Sequence, residues 1–334
     1  MAQLGTRTWH FAYGKSPHAA SASPVPWGNR VVVADRRDAL VGLSSETGAL
    51  IWAVTVAPGF NGTPCIDDDG QIYAGTGRPG IGHSGQLLAI AATDGAISWK
   101  RELPSAWGAG PTLVGGAVVA TAQDGCVYAF ARSDGALRWR TRIDGLAMTT
   151  PTLGPDHLVW IGVEAGRLHG LRADDGEVVA TIALAAPLNR TLAAGPHGVV
   201  ATTLDGRVAC VVDGAIAWTT ALGGHHPSAP SLVGDRVLIG GGAADVDRAG
   251  LHVLDAATGD QRGFVAVPGV IHGAPALGDG LAYVTSTDHR VHALDLETGS
   301  ERWSYGTGAE LWAAPRADDA TLYVAAHNGC YALS

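Results

Sequence analysis

The 334-residue chain has no run of eighteen apolar residues, so no segment reads as a transmembrane helix. Basic residues are scarce. Lys and Arg number 22 against 31 acidic residues, for a net charge of −9, and nothing forms the basic stripe that a nucleic-acid partner needs. Cysteines are few as well. Cys65, Cys126, Cys210 and Cys330 include no C-x-x-C pair, and they read as free thiols. Free thiols imply a reducing compartment. The opening residues, MAQLGTRTWHF, lack the apolar stretch of a secretory leader. Together these point to the cytoplasm. Apolar residues at helical period are absent too. What the chain has in quantity is glycine (47), proline (17) and 46% hydrophobic residues, the composition of many short strands joined by turns.

One stretch, ALDLETGSERW at 293–303, recurs in weaker copies along the whole chain. The alternating residues before it suit a half-buried strand, Gly299 suits a turn that needs positive φ, and SERWSY suits a second strand carrying Trp303. The turn glycines Gly48, Gly95, Gly135, Gly176, Gly214, Gly259 and Gly299 are spaced 47, 40, 41, 38, 45 and 40. Trp52, Trp99, Trp139, Trp218 and Trp303 follow four residues after five of them, while Ala180 and Gly263 stand in the other two copies. A second marker keeps the same rhythm. Pro24, Pro64, Pro111, Pro151, Leu192, Pro230, Pro275 and Pro315 each open an apolar run. A period of about 40 with four short strands per unit is the pattern of a β-propeller.

Eight markers mean eight blades. The last, opened by Pro315, runs out at the C-terminus before its outer strand, and Gly5 with Trp9 supplies that strand from the other end. The expected architecture is all-β: a single eight-bladed propeller over 1–334, four antiparallel strands per blade. Its blades fall near 20–56, 60–103, 107–143, 147–184, 188–222, 226–267, 271–307, and 311–334 with 4–11. Closure by the N-terminal strand removes the free sheet edges.

The unit resembles the PQQ-type propeller repeat with its A-x-D-x-x-T-G-x-x-x-W Trp-docking motif, which Ala293, Asp295, Thr298, Gly299 and Trp303 match in full. The resemblance covers essentially the whole chain. It implies kinship with quinoprotein alcohol dehydrogenases, BamB-like outer-membrane assembly proteins and sensor domains of some bacterial kinases, a group that shares a fold and not a function. The chain lacks the adjacent cysteine pair and the large insertions of the quinoproteins, so PQQ is not an expected cofactor. It also lacks the signal and lipidated cysteine of the BamB-like proteins.

Several motifs have structural readings. Gly75 to Gly80 matches G-x-G-x-x-G, but Pro79 and Gly80 lead toward a strand and not toward the helix that would hold a pyrophosphate. Asp67-Asp68-Asp69-Gly70 lacks the spacing of a calcium loop and suits a turn. His169, His252 and His292 share one third-strand position with Tyr128 and Tyr331, a packing position. The insertions at 75–85 and 240–250 enlarge loops of blades two and six.

Another set of residues stands where inner strands begin, around the mouth of the central channel. It comprises His18, Asn61, Trp107, Met148, Asn189, His225, His226, His272 and Trp312, with His327 from a loop between second and third strands. Loop residues on a rigid scaffold are where function concentrates. Two classes of function follow. One is a monomeric propeller that binds a peptide, protein or small molecule at its channel face. The other is an enzyme of lyase, cyclase or isomerase type with His226 and His272 as acid/base groups or as ligands of a divalent metal.

Overall fold

In the computed structural model, every residue is described except 1–4, 14–21, 36–38, 58, 78–83, 106–108, 148, 185, 189–190, 225–227, 243–248, 279 and 319. The described strands form eight four-stranded antiparallel sheets. In seven of them the strands follow chain order from the inner strand outward, as in Thr112–Val114, Ala117–Ala122, Cys126–Ala131 and Leu137–Arg142 of blade three. The eighth is ordered differently. Arg316–Ala317, Leu322–Ala326 and Gly329–Leu333 are completed by Arg7–Ala12 from the N-terminus, with Trp9 opposite Ala332 and His10 opposite Tyr331. The Gly5 amide donates to the Ser334 carbonyl at 2.6 Å and the Ser334 amide to the Thr6 carbonyl at 3.0 Å, which ties the closing strand to the last blade.

The repeat motif has a mechanical meaning in each blade. The outer strand carries a bulge at the residue before the tryptophan position. Trp139 faces Ala129 and Leu137 faces Phe130, which leaves Arg138 unpaired between them, and the same shift occurs in blades one, two, four, five, six and seven. The extra residue re-aims the indole toward the next blade. There the indole N–H donates to a turn carbonyl: Trp9 to Ser45 at 2.8 Å, Trp52 to Ala92 at 2.8 Å, Trp99 to Arg132 at 3.0 Å, Trp139 to Ala173 at 2.9 Å and Trp218 to Ala256 at 3.1 Å. The ring lies on that turn's glycine. A Cβ on Gly135 would sit 2.6 Å from Trp99, and one on Gly48 would sit 2.6 Å from Trp9. The glycine therefore serves twice, once for its positive φ and once for the missing side chain. Each indole removes on the order of 200 Å² from water, about 5 kcal/mol at ~25 cal/mol per Å² as an upper bound.

The other motif residues follow from the same geometry. Ala293 is the small residue directly opposite Trp303. Asp295 accepts the Glu297 and Thr298 amides at 2.9 and 3.0 Å, which folds the turn over Gly299. Trp303 differs from the other indoles in being only half-buried. It lies on Gly5, and the residue that the repeat register offers its N–H, Ala2, is outside the described residues.

The two blades without the tryptophan differ from each other. In blade four, Trp160 on the second strand, Gly170 on the third and Ala180 on the outer strand lie in one cross-strand row. The large residue has moved inward along that row, and Trp160 is fully buried in the cluster that packs blades four and five together. Blade six has no such exchange. Its row is Leu238, Val253 and Gly263, and nothing lies within 4 Å of a Cβ on Gly299 in the following blade.

Loops entering a blade and loops between its second and third strands meet on one face. The His327 amide donates to the Glu310 carbonyl at 3.1 Å, that of Thr287 to Val270 at 3.0 Å and that of Leu204 to Pro187 at 2.8 Å. The turns occupy the opposite face, where the Ala92 amide donates to Gly70 and that of Ala256 to Asp235. The insertions are shorter than their sequence suggests. Gln71–Thr76, Gly85–Ala91, Arg236–Gly241 and Gly250–Asp255 are strands, so 75–76, 85, 240–241 and 250 belong to the sheets.

Two measurements test this architecture. Gly135→Ala and Gly299→Ala impose nearly the same backbone strain, at φ +70° and +68°, but only the first drives a methyl group into an indole. In denaturant melts Gly299→Ala is expected to cost about 1 kcal/mol, and Gly135→Ala a further ~1–3 kcal/mol from overpacking. Equal losses would show that the indole contact contributes nothing. Removal of residues 1–12 is expected to lower the melting temperature by several degrees and to promote association through the bared edge of Gly329–Leu333. A monomeric truncation with unchanged melting would overturn the closure.

Candidate functional site

Asn61, His272, Trp312 and His327 are the sequence candidates that the structure describes. His18, Trp107, Met148, Asn189, His225 and His226 lie outside the described residues. Asn61 is half-buried within the inner strand Phe60–Ile66, opposite Gly75 and beside a bulge that runs to Cys65. It is therefore one step inside the strand and not ahead of it.

The other three come together between blades seven and eight. The His272 imidazole stacks on Trp312 with ring centroids 5.2 Å apart and planes 29° apart. His327 tilts against the same indole, 5.8 Å away at 54°. The His327 Nδ1 lies 3.9 Å from a Glu310 carboxylate oxygen. Buried neighbours hold the cluster from below. Leu311 and Ala313, on either side of Trp312, are 0% and 1% exposed, while Trp312 itself is 37% exposed. The loop is pinned further by the Thr285 hydroxyl, which donates to the Ala313 carbonyl at 2.8 Å. A Cβ on Gly273 would come within 2.6 Å of the Ala314 nitrogen, so glycine there is what lets the two loops approach until His272 meets Trp312.

The sequence reading missed two residues of this cluster. Glu310 carries no repeat signature, although it stands two residues before Trp312. Tyr13 arrives from the closing strand: its amide donates to the Asn328 carbonyl at 3.2 Å, and its ring packs on Ala313 and Ala325. Only a count that joins the two chain ends would place it here.

The third-strand histidines are structural. Each is buried, and each uses a ring nitrogen locally: His169 with the Thr181 hydroxyl at 3.1 Å, His252 with the Gln261 amide at 3.3 Å, and His292 with Glu301 at 2.5 Å and Asp288 at 3.0 Å. Burial holds the His169 imidazole below its ordinary pKa. Burial also works against ionised Glu301, but hydrogen bonds from His292 and Ser304 keep its carboxyl below the usual range. Tyrosine fills the position on the same principle. The Tyr128 hydroxyl donates to Asp124 at 2.6 Å, and that of Tyr331 donates to the Thr307 carbonyl at 3.1 Å. The position takes a flat side chain with a polar tip, and the nearby backbone, a loop or the outer strand gives the tip its partner.

Asp67 does more than shape a turn. It is 6% exposed, accepts the Gln71 amide at 2.8 Å, and pairs with Arg132 of the next blade at 2.5 Å. Burial opposes its ionisation, yet the Arg132 bond holds the carboxyl below its ordinary value. Asp68 and Asp69 beside it are exposed. Of the thiols, Cys126, Cys210 and Cys330 are buried and Cys65 is half-buried. Burial pushes the pKa up to about 12 for Cys65 and about 11 for Cys210, so both stay protonated and inert. Among the described residues no group of three or more His, Cys, Asp or Glu side chains is placed to hold a metal, and the pairing of His226 with His272 falls outside them.

Comparison with known proteins bears on the whole chain. The family profile described as outer membrane protein assembly factor BamB matches residues 2–82, 83–179, 164–262 and 247–334. A curated relative, the outer membrane protein assembly factor BamB of Alkalilimnicola ehrlichii, is 28% identical over 164 residues, which is 48% of this chain and 42% of that protein's own length. Among solved structures, BamB from Moraxella catarrhalis superposes with a TM-score of 0.79 at 20% identity, covering 99% of this chain and 97% of that one. The computationally designed Ika8 protein gives 0.79 at 17% identity over 94% and 96%, and Sqt1 from Saccharomyces cerevisiae gives 0.80 at 11% over 99% of each chain. At these identities the superpositions speak for the fold alone. The matched profile, which runs from residue 2 to residue 334, identifies this chain as a member of the BamB family of PQQ-like-repeat propellers.

Proposed function

We propose that this propeller is a protein-interaction scaffold whose docking surface is the channel mouth between blades seven and eight, and that it binds an extended segment of a partner protein there. The exposure of Trp312 carries the reading. The other described repeat and packing indoles turn inward, whereas this one is held out to solvent between two buried residues and flanked by two imidazoles. Large aromatic residues on rigid loops are the usual anchors of an interface. Glu310 and His327 add polar groups at the rim of the anchor, which would fix the register of a bound segment. The description of the matched family supports a partner drawn from proteins under assembly at an outer membrane.

Site-specific photo-crosslinking tests this reading. A crosslinker at position 272 is expected to capture a partner segment, while one at His157, on the turn face, is not. Trp312→Ala is expected to weaken binding of the captured segment at least tenfold, about 1.4 kcal/mol or more, and to leave the melting temperature nearly unchanged. Equal capture from both positions, or full affinity in Trp312→Ala, would overturn the proposal.

A further inference from the structure

The inner strands of seven blades carry no charged residue: VPW, FNGTPCI, TLV, TL, AAG, SLV and ALG. The eighth inner strand is Arg316–Ala317. Arg316 directly follows the Pro315 marker, at a position that is Val, Cys, Thr, Thr, Ala, Ser or Ala in the other blades. All eight marker residues are buried, and the residue after each is partly exposed, with Arg316 the most exposed of them. In two blades that residue is satisfied by the next blade. The Thr112 hydroxyl donates to the Pro151 carbonyl at 2.6 Å, and the Ser231 hydroxyl donates to the Pro275 carbonyl at 2.6 Å.

Arg316 is exposed to solvent, and yet protein surrounds it closely enough that burial lowers its pKa. Its strand is the innermost of blade eight, the one that borders the central channel. Arg132, Arg172 and Arg262 shift the opposite way because Asp67, Asp175 and Asp235 pair with them. Among the described residues no carboxylate or other acceptor pairs with the Arg316 side chain. Among the described residues a fixed positive charge is therefore left without a counter-ion on the inner side of the ring, where the eight inner strands hold no acid.

The geometry points to Arg316 as the binding residue of an oxyanion site in the central channel. The oxyanion is a carboxylate or phosphate, either free or carried on a partner's chain end or side chain. Guanidinium presents a planar fork of donors that matches two oxygens of such a group. Arg316 lies four residues beyond Trp312 along the entering strand, at most about 13 Å deeper at ~3.3 Å per residue. The site is distinct from the mouth cluster and does not rest on its reading.

Titration calorimetry with sodium phosphate and with sodium acetate, at constant ionic strength, tests the site on the intact chain. At least one anion is expected to bind, with Arg316→Gln weakening it tenfold or more and Arg138→Gln, an exposed arginine on an outer strand, leaving it unchanged. Arg316→Gln is also expected to melt at the same temperature or higher, since no ion pair is lost. A short peptide with a free C-terminal carboxylate, compared with its amide, identifies the source. Tenfold preference for the free acid assigns the anion to a partner's chain end, and equal binding of the two peptides beside measurable phosphate binding assigns it to a free ion. Failure of the wild-type chain to bind either salt, or equal affinity in Arg316→Gln, would sink the proposal. A drop of several degrees in the melting temperature of Arg316→Gln would also overturn it, because the arginine would then have an internal partner.

Discussion

The ring depends on an indole closing over a glycine. A propeller blade is a sheet whose two faces must both be covered, and the only cover available is the neighbouring blade. Here the cover is a specific lock. The bulge aims the tryptophan, the tryptophan lies on the next turn, and its N–H satisfies a carbonyl that the turn would otherwise leave bare. Because each lock joins one blade to its successor, the architecture holds only when the last blade finds the first. That is why the N-terminal strand carries Gly5 and Trp9, a complete half of the same device.

This dependence explains what could be seen in the sequence. A lock that needs a glycine and a tryptophan at fixed offsets writes itself into the chain six times, two more turn glycines keep its rhythm, and blade count, strand order and closure follow from it. Where the volume of the lock was moved, the pattern failed. Ala180 looks like a lost tryptophan until Trp160 is found filling the same row from another strand, at a position where other blades carry tyrosine or an aliphatic residue. Asp67 looks like a turn residue because its partner Arg132 lies 65 positions away.

The candidate site was legible only in part, for a different reason. The mouth positions could be listed because strand starts are periodic, and His272, Trp312 and His327 do meet. Their neighbours Glu310 and Tyr13 belong to no repeat. Arg316 lay unremarked beside a marker proline, since a charge at a small-residue position becomes informative only when the ring places it at the centre. The cysteines were a poor guide to compartment. Occluded thiols with raised pKa values stay reduced and unreactive whatever the redox potential outside.

The row of Leu238, Val253 and Gly263 makes the junction of blades six and seven unlike the others: among the described residues its core cluster holds no aromatic side chain, and a Cβ on Gly299 would meet nothing within 4 Å. Aliphatic side chains close it instead: Leu238, Leu251, Val253, Val265 and Ile271 pack against Ala282, Val284 and Leu294. Hydrophobic burial is non-directional, so this seam joins two blades without the aimed N–H bond of an indole lock. Blade seven, which carries His272, is held on that side by burial in place of a lock, while Trp312 stands on the blade that the N-terminal strand completes.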